Sequence, residues 1–263
     1  MVLKHRTIKQ IVIACIFFGF WGSLAGLIFW LTYTPPAAAP PTPKTALPLQ
    51  VIATKIIATT PGKGDLVGTL RNPNPNAGAV RFQYKFTISA NSQNPQIVTG
   101  ESFILPSDQK YLTAFNYDIP AGATATLEVI NPQWVFVDST FAPPEIVLIN
   151  KPTNIISGPT IDTFQLKGLL ANQSNVDYTR VEVTIVGLDA QGEMIGASKT
   201  FMGAFLSAER REFTAQWPLN KGATVSDFKV VPEVNVFLSD AIQQRQGIQD
   251  IRDLQNPAMP AGN

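Results

Sequence analysis

The chain has 263 residues and a formal net charge of +1, with 20 Lys and Arg against 19 Asp and Glu. This balance excludes a strong electrostatic attraction to nucleic acid, and we expect no nucleic-acid partner. The only cysteine, Cys15, and the only histidine, His5, lie near the N-terminus. The rest of the chain therefore lacks disulfides, Ser-His or Cys-His nucleophilic pairs, and His-bound zinc.

Residues 11–31 form an apolar run of 21 residues without a charged side chain. A helix of that length spans about 31 Å, which matches a hydrocarbon core of about 30 Å. Lys4, Arg6 and Lys9 precede the run, and the next cationic residue is Lys44. Because positive flanks stay in the cytoplasm, we predict a single-pass transmembrane helix in the cell membrane. The lipid bilayer is then its first partner, and everything that follows the helix is extracytoplasmic.

Two alternatives to a retained signal-anchor involve removal of this run. A cleaved signal peptide has a shorter apolar core of about 7–15 residues, and Pro40 directly follows the candidate cleavage triplet Ala37–Ala39. Val12–Cys15 resembles a lipobox, but most of the apolar core follows Cys15 instead of preceding it. We therefore favour a cytoplasmic tail over residues 1–10 and a permanent anchor.

Gly22 and Gly26 form a GxxxG pair inside the apolar run. Small residues at this spacing let two membrane helices approach closely, so the pair predicts weak self-association through this face. The alternative is that these glycines have no such role, because glycine is common in membrane helices.

Two segments flanking the main body have their own composition. Residues 32–48 are rich in proline, which fixes φ and removes a backbone donor, and we predict a semi-rigid linker with polyproline II character. An SH3-type ligand is the alternative, which an extracytoplasmic location disfavours. Residues 240–263 form a C-terminal tail in which Ile248, Ile251 and Leu254 indicate a short helix, with disorder at the end.

The body between these segments contains an internal repeat of about 100 residues. Gly68, Leu70 and Asn72 precede one strongly alternating segment, and the same residue types precede a second such segment. The second set is Gly168, Leu170 and Asn172; Leu112-Thr113-Ala114 likewise matches Phe213-Thr214-Ala215, and Gly122-Ala123-Thr124 matches Gly222-Ala223-Thr224. The constant order and the nearly constant offset indicate a duplicated module.

Alternation with a period of two over each segment predicts strands with one buried face. Asp189–Gly192 predicts a hairpin turn, with Gly192 free to adopt positive φ. We place twelve strands near 50–58, 64–72, 80–89, 96–104, 111–117, 124–137, 145–150, 161–171, 178–188, 193–202, 210–217 and 226–238. Short strands with regular turns predict an all-β fold, with two tandem β-sandwich domains over residues 49–142 and 143–239 after a single transmembrane helix.

The second copy resembles the FxLYD domain family and similar immunoglobulin-like or fibronectin-III-like sandwiches. The resemblance spans residues 166–215 and rests on Gly168–Ser174, Val181–Ile185, Asp189–Gly192 and Ile195-Gly196. It implies a strand, an Asn/Ser turn, an alternating strand and a hairpin in that order. It also implies an envelope-exposed domain without an assigned activity, although the signature that gives the family its name is absent.

No motif assigns chemistry to this chain, so we predict no catalytic, cofactor-binding or metal-binding residues and no enzyme activity. Carboxylates are the only acid-base candidates, and we interpret them as solvated surface residues: Asp108, Glu128, Asp138, Asp189, Glu193, Glu209 and Glu212. The aromatic candidates for a binding face are better explained as core: Phe82, Tyr84, Phe86, Trp134, Phe136, Phe201, Phe205, Phe213 and Trp217. The basic residues are scattered among acids: Lys85, Lys110, Arg180, Lys199, Arg210 and Arg211.

These observations lead to three hypotheses of function. The first is a membrane-anchored accessory or scaffold component of a cell-envelope assembly, in which both sandwiches present surfaces for protein–protein contact. The second is a module that binds a glycan or a small ligand through exposed aromatic rings. The third is a carboxylate-dependent hydrolase, which requires two acids facing each other in a cleft.

Overall fold

A computed structural model describes residues 2–33, 45–90 and 94–243. The chain divides into two compact units, Met1–Lys44 and Thr45–Asn263. The first unit contains helix α1, Val2–Thr32, and within it Thr7–Thr32 is long and apolar enough to cross a membrane. Residues 34–44 of the predicted linker and residues 244–263, with the predicted tail helix, lie outside the described residues.

The second unit is all-β, as predicted. Its first half holds β1 Gln50–Thr60, β2 Lys63–Arg71, β3 Ala77–Ser89, β4 Gln96–Ile104, β5 Gln109–Asp118 and β6 Thr124–Phe136. Its second half holds β7 Ile146–Asn150, β8 Thr153–Ile156, β9 Ile161–Asn172, β10 Asp177–Leu188, β11 Met194–Phe205, β12 Arg210–Asn220, β13 Asp227–Glu233 and β14 Ile242–Gln243.

Twelve of these strands lie where the alternation predicts them, while β8 and β14 were not predicted. The predicted last strand extends to residue 238, but β13 ends at Glu233. The chain turns there, because the N–H groups of Val236 and Leu238 donate to the nearby carbonyls of Val234 and Asn235. The hairpin at Asp189 forms as predicted, with Gly192 at φ 81°.

The strands form four antiparallel sheets, two from each half of the sequence. In sandwich 1, outer sheet 1 has the order β4-β3-β6 and inner sheet 1 has the order β1-β2-β5. In sandwich 2, inner sheet 2 has the order β11-β10-β13, with β14 paired to β10, and outer sheet 2 has the order β12-β9-β7, with β8 paired to β9. Each pair of sheets encloses its own hydrophobic core.

The two sandwiches follow the same plan, which agrees with the predicted repeat. Asn72 directly follows the second strand of sandwich 1, and its buried side chain donates to the carbonyls of Ala77 and Leu105 at 2.7 and 2.8 Å. Asn172 in sandwich 2 donates to the carbonyl of Phe205, among others, at 3.2 Å. Each side-chain oxygen also accepts from the backbone N–H two residues later. Asn72 and Asn172 therefore stabilise equivalent corners of the two sandwiches.

The core of sandwich 2 is organised around Trp217, which is buried and stacks on Phe164 at a centroid distance of 4.5 Å. Gly187 and Gly196, on β10 and β11, lie against its indole ring. A Cβ atom at position 196 would collide with the ring nitrogen and with the carbon beside it. The absence of side chains at these two positions makes room for the largest side chain in the core.

A third hydrophobic cluster joins the sandwiches to each other. Three of its buried members come from inner sheet 1 and two from inner sheet 2. They are Ile57, Val67 and Tyr111, and Val186 and Ala197, respectively. Inner sheet 1 therefore packs face to face on inner sheet 2, and the order of layers is outer 1, inner 1, inner 2, outer 2. The central strands β2 and β10 consequently carry buried side chains on both faces, which single-faced alternation does not predict.

Candidate functional site

The contact between the two inner sheets, which we call the joint, contains a buried charge cluster. Lys110 of β5 has a side chain that is 0% exposed, and its Nζ lies 2.7 Å from Oε2 of Glu233 on β13. The same ammonium lies 3.8 Å from Glu182 of β10 and 4.1 Å from the ring centroid of Phe103. A lysine from sandwich 1 thus lies beside an aromatic ring of its own sandwich and contacts two acids of sandwich 2.

Sheet register places the two glutamates side by side. Glu182 and Glu233 are cross-strand partners on β10 and β13, so their side chains leave the same face of inner sheet 2. Like charges in this arrangement repel, and two lysines compensate for the repulsion. Lys110 contacts Glu233, while Lys199 of β11 lies 2.5 Å from Oε1 of Glu182. The cluster is therefore a network of alternating charges instead of a single ion pair.

Burial raises the pKa of one member of this cluster, Glu233. The Glu233 side chain is 4% exposed, and its Oε1 atom is buried without a hydrogen-bond partner among the described residues. Desolvation raises the pKa of Glu233 to about 7; Lys110 opposes this shift, and the charges of Glu182 and Asp108 add to it. Burial likewise raises the pKa of Asp108, although the N–H of Gln109 opposes that shift. Glu233 is therefore a group that titrates near neutral pH.

Two crevices are lined in part by Glu233. One has a volume of about 350 Å³ and is lined by Phe103, Arg180 and Asp240, together with the cluster carboxylates. The other has a volume of about 290 Å³ and is lined by Asp108 and a run of prolines and apolar side chains. Water can therefore approach the buried carboxylate without unfolding of either sandwich.

Most of the carboxylates considered as acid-base candidates have structural partners on the surface. Glu128 pairs with Lys85, and Glu193 pairs with Lys55 across the joint, both at 2.5 Å. Asp189 accepts hydrogen bonds from the hairpin backbone. Glu209 pairs with Arg211 and also accepts a hydrogen bond from the backbone N–H of Leu206. Asp138 accepts a hydrogen bond from the backbone N–H of Thr140. Glu212 is exposed, and Asp108 lies close to the joint. None of the described residues forms a group of three acids, cysteines or histidines suited to a metal ion.

The aromatic candidates mostly occupy cores, as their alternation suggests. Trp217 is buried in sandwich 2, and Trp134 is half-buried against the core of sandwich 1. Phe82, Phe86, Phe205 and Phe213 are buried, Tyr84 packs on the core, and Phe136 is half-buried. Phe201 departs from this pattern: it is 48% exposed, and the Arg180 guanidinium lies 4.1 Å from its ring centroid. The described part of the β unit therefore has no exposed tryptophan to serve as a sugar platform.

In the helix, Gly22 and Gly26 face open space, and a Cβ atom at either position would contact nothing within 4 Å. This surface is free for another helix, but helix self-association stays a prediction.

Sequence reasoning missed the joint. Glu182 lies on the polar side of an alternating strand, and such positions usually face solvent. Lys110 was one of several scattered basic residues. The available signal was Glu233, a single acid within the apolar stretch Val230–Phe237. An ionisable residue in such a stretch is buried only with a partner, so it predicts a buried cation nearby.

Comparisons with known proteins assign no family. No protein-family model matches the chain, and no curated protein matches it significantly. Among solved structures, the crystal structure of red sea bream transglutaminase is similar at 12% identity over 73% of this chain, with a TM-score of 0.21. The chain corresponds to 31% of that protein's length. A similarity at this level carries no argument about activity.

Proposed function

We propose that this protein is a non-enzymatic, single-pass membrane protein that presents its two sandwiches outside the cytoplasm for contact with other proteins. It would serve as an accessory or scaffold component of an envelope assembly. The observation that carries the proposal is the combination of an apolar N-terminal helix with an all-β unit whose sheets have open edges. The resemblance to FxLYD-type sandwiches is part of the same proposal.

The open edge of β6 is the preferred contact surface. Within the described residues, β3 is the only strand paired with β6, which is 13 residues long. Its second edge therefore offers backbone donors and acceptors over residues 124–130, before Pro132 interrupts the series. Strand addition by an extended segment of a partner would satisfy these groups.

The topology can be tested with single cysteines because the β unit has none of its own. In a Cys15→Ser background, we place a cysteine at the exposed Gln83 or Thr214 and treat intact cells with a membrane-impermeant maleimide. The proposal expects both positions to react in intact cells. Reaction only after the membrane is broken would contradict the predicted orientation, and recovery of a shortened, soluble chain would contradict the anchor.

The contact surface can be tested by photo-crosslinking in native membranes. A photoreactive residue at Thr126, exposed on the β6 edge, should give a discrete adduct that mass spectrometry identifies. The matched control is the exposed Lys167 on β9, a central strand of outer sheet 2, where no strand can be added. Equal adducts at both positions, or full retention of the partner by the helix and linker alone, would overturn the proposal.

Neither alternative function gains a specific observation. A glycan module would use exposed aromatic rings, but Phe115 and Phe201 are the only exposed rings among the described residues of the β unit. A hydrolase would use two facing carboxylates. The closest such arrangement, Glu182 with Glu233, already has lysine partners at 2.5 and 2.7 Å. We therefore retain protein–protein contact as the proposed function.

A further inference from the structure

The joint places one carboxylic acid, Glu233, where both sandwiches exclude solvent from it. We propose that the joint is a pH-responsive contact, tightest in mildly acidic solution and looser as the pH rises through neutrality, with Glu233 as the titrating group. This inference goes beyond the proposed partner binding and does not depend on it. It concerns how firmly the two sandwiches hold each other.

Charged groups face Glu233 from each element packed around it. Lys110 approaches from β5 at 2.7 Å, and Asp108 contributes negative charge from the segment before β5. Glu182 contributes negative charge from β10, and Lys199 of β11 holds Glu182 at 2.5 Å. When Glu233 is ionised, the cluster contains three charged carboxylates, counting Glu233 itself, and two lysines. When Glu233 is protonated, two charged carboxylates and two lysines remain. The protonated form is therefore the balanced one, which agrees with the unpartnered Oε1 atom.

Two further charges lie at the mouth of the larger crevice. Arg180 and Asp240 both line it, and the Arg180 guanidinium is held over the ring of Phe201. Neither of them is among the groups that shift the pKa of Glu233. The crevice gives protons and water a route to the carboxylate while both sandwiches remain folded.

The direction of the pH effect on joint opening follows from the difference between the pKa of Glu233 in the closed joint and in the open one. In the closed joint, the pKa of Glu233 is about 7, whereas a solvated glutamate has a value of 4.5. Between these values, the closed joint holds a proton that the open joint releases, so raising the pH favours opening. From these two values, the opening constant should rise about 70-fold between pH 5 and pH 8.

The packing allows the joint to open without unfolding the sandwiches. Each sandwich has its own core, and the cluster that joins them has only five buried members among the described residues. The rim pair Lys55–Glu193 is partly exposed and adds little. Separation of the inner sheets would expose the joint cluster but leave both larger cores intact.

Thiol labelling of the full chain in detergent, in the Cys15→Ser background, measures this opening directly. Ala197→Cys places the probe in the joint, Ala215→Cys places it in the core of sandwich 2, and Gln83→Cys is a fully accessible reference. The labelling rate at 197, divided by that at 83, corrects for the pH dependence of the thiol itself. This ratio should rise about 70-fold from pH 5 to pH 8, while the ratio at 215 stays low.

Glutamine variants identify the titrating group. Glu233→Gln should remove most of the rise at 197, and the matched control Glu128→Gln, at an exposed ion pair with Lys85, should leave it unchanged. If Glu233→Gln does not fold by circular dichroism, Glu182→Gln decides, because loss of the neighbouring negative charge should make the rise smaller. A flat profile in the parent chain, a parallel rise at 215, or a full rise in whichever deciding variant folds would overturn the proposal.

Discussion

The two sandwiches share a strand order and a buried asparagine at the same corner, but a basic side chain at one equivalent position makes different contacts in each. Lys110 and Arg211 are equivalent in register, because each is the cross-strand partner of the repeated leucine, Leu70 or Leu170. Lys110 reaches across to Glu233 in the other sandwich, whereas Arg211 donates to the carbonyls of its own sandwich and pairs with Glu209. The two sandwiches share the framework but differ in what this basic side chain binds.

The outer faces of the sandwiches differ in the same way. Tyr111 is buried in the joint, but its counterpart in outer sheet 2, Glu212, is exposed. Thr184 of inner sheet 2 is buried, while its counterpart in outer sheet 1 is the ion-paired Lys85. The contact is heterologous, so identical faces on both sandwiches would allow further stacking. The two outermost faces instead carry polar side chains at these positions, Lys85 and Glu212.

The strongest test of this contrast removes the basic side chain from each sandwich. Lys110→Met leaves the buried Glu233 and the half-buried Glu182 without their central cation, and we expect a loss of about 3–5 kcal/mol in unfolding free energy at pH 8. Arg211→Met removes a partly exposed side chain and should cost about 1 kcal/mol. Chemical denaturation of the full chain in detergent, followed by tryptophan fluorescence, measures both values. Equal losses would show that the two positions do not differ as the structure indicates.

Measuring the unfolding free energy of Lys110→Met at a second pH provides an internal control. At pH 5, Glu233 is mostly protonated even with Lys110 in place, so less negative charge is left without a cation and the loss for Lys110→Met should be smaller than at pH 8. A loss independent of pH would indicate that Lys110 acts through packing alone.

The shared part of the plan predicts equal effects. Asn72→Ala and Asn172→Ala each leave buried carbonyls without a donor, and we expect each to cost about 2–3 kcal/mol. Asn150→Ala, at an exposed position, should cost about 0.5 kcal/mol or less under the same denaturation assay. A large effect in only one sandwich would mean that the repeated corner stabilises the two copies unequally.

These contrasts show which features the sequence could predict. Strand positions and the Asn72 and Asn172 match follow from local patterns, because alternation and turn residues act over short distances. The joint depends on which sheets meet, and a polar alternating face such as Glu182 looks the same in sequence whether it meets water or another sheet. Tyr111 and Val186 in the joint were likewise indistinguishable from ordinary strand residues. The pairing of Lys110 with Glu233 spans 123 positions, so no local pattern could show it.

A smaller and opposite effect is expected from the equivalent threonines Thr113 and Thr214. Thr113 is buried in the joint and its hydroxyl has no hydrogen-bond partner among the described residues. Thr113→Val should therefore stabilise the chain by about 1 kcal/mol. Thr214→Val changes an exposed side chain and should stay within about 0.5 kcal/mol of the parent. Thermal unfolding monitored by circular dichroism can rank the two variants, and a destabilised Thr113→Val would argue for an ordered water at that hydroxyl.

The smallest effect concerns the rim of the joint. Lys55 and Glu193 join the sandwiches at 2.5 Å, but their side chains are 33% and 64% exposed. Lys55→Gln should cost about 0.5 kcal/mol, and the difference should vanish in high salt because exposed pairs are screened. A salt-independent loss of several kcal/mol would move the main stabilisation of the joint from Lys110 to its rim.

The indole of Trp217 and the bare backbone at Gly196 have a consequence for how this fold can vary. Neither residue can change alone: a methyl group at 196 displaces the ring, and a smaller residue at 217 leaves a void beside two glycines. The two positions should therefore covary among natural relatives of this chain. A lineage that loses the tryptophan is free to acquire alanine or valine at position 196, and one that keeps it is not.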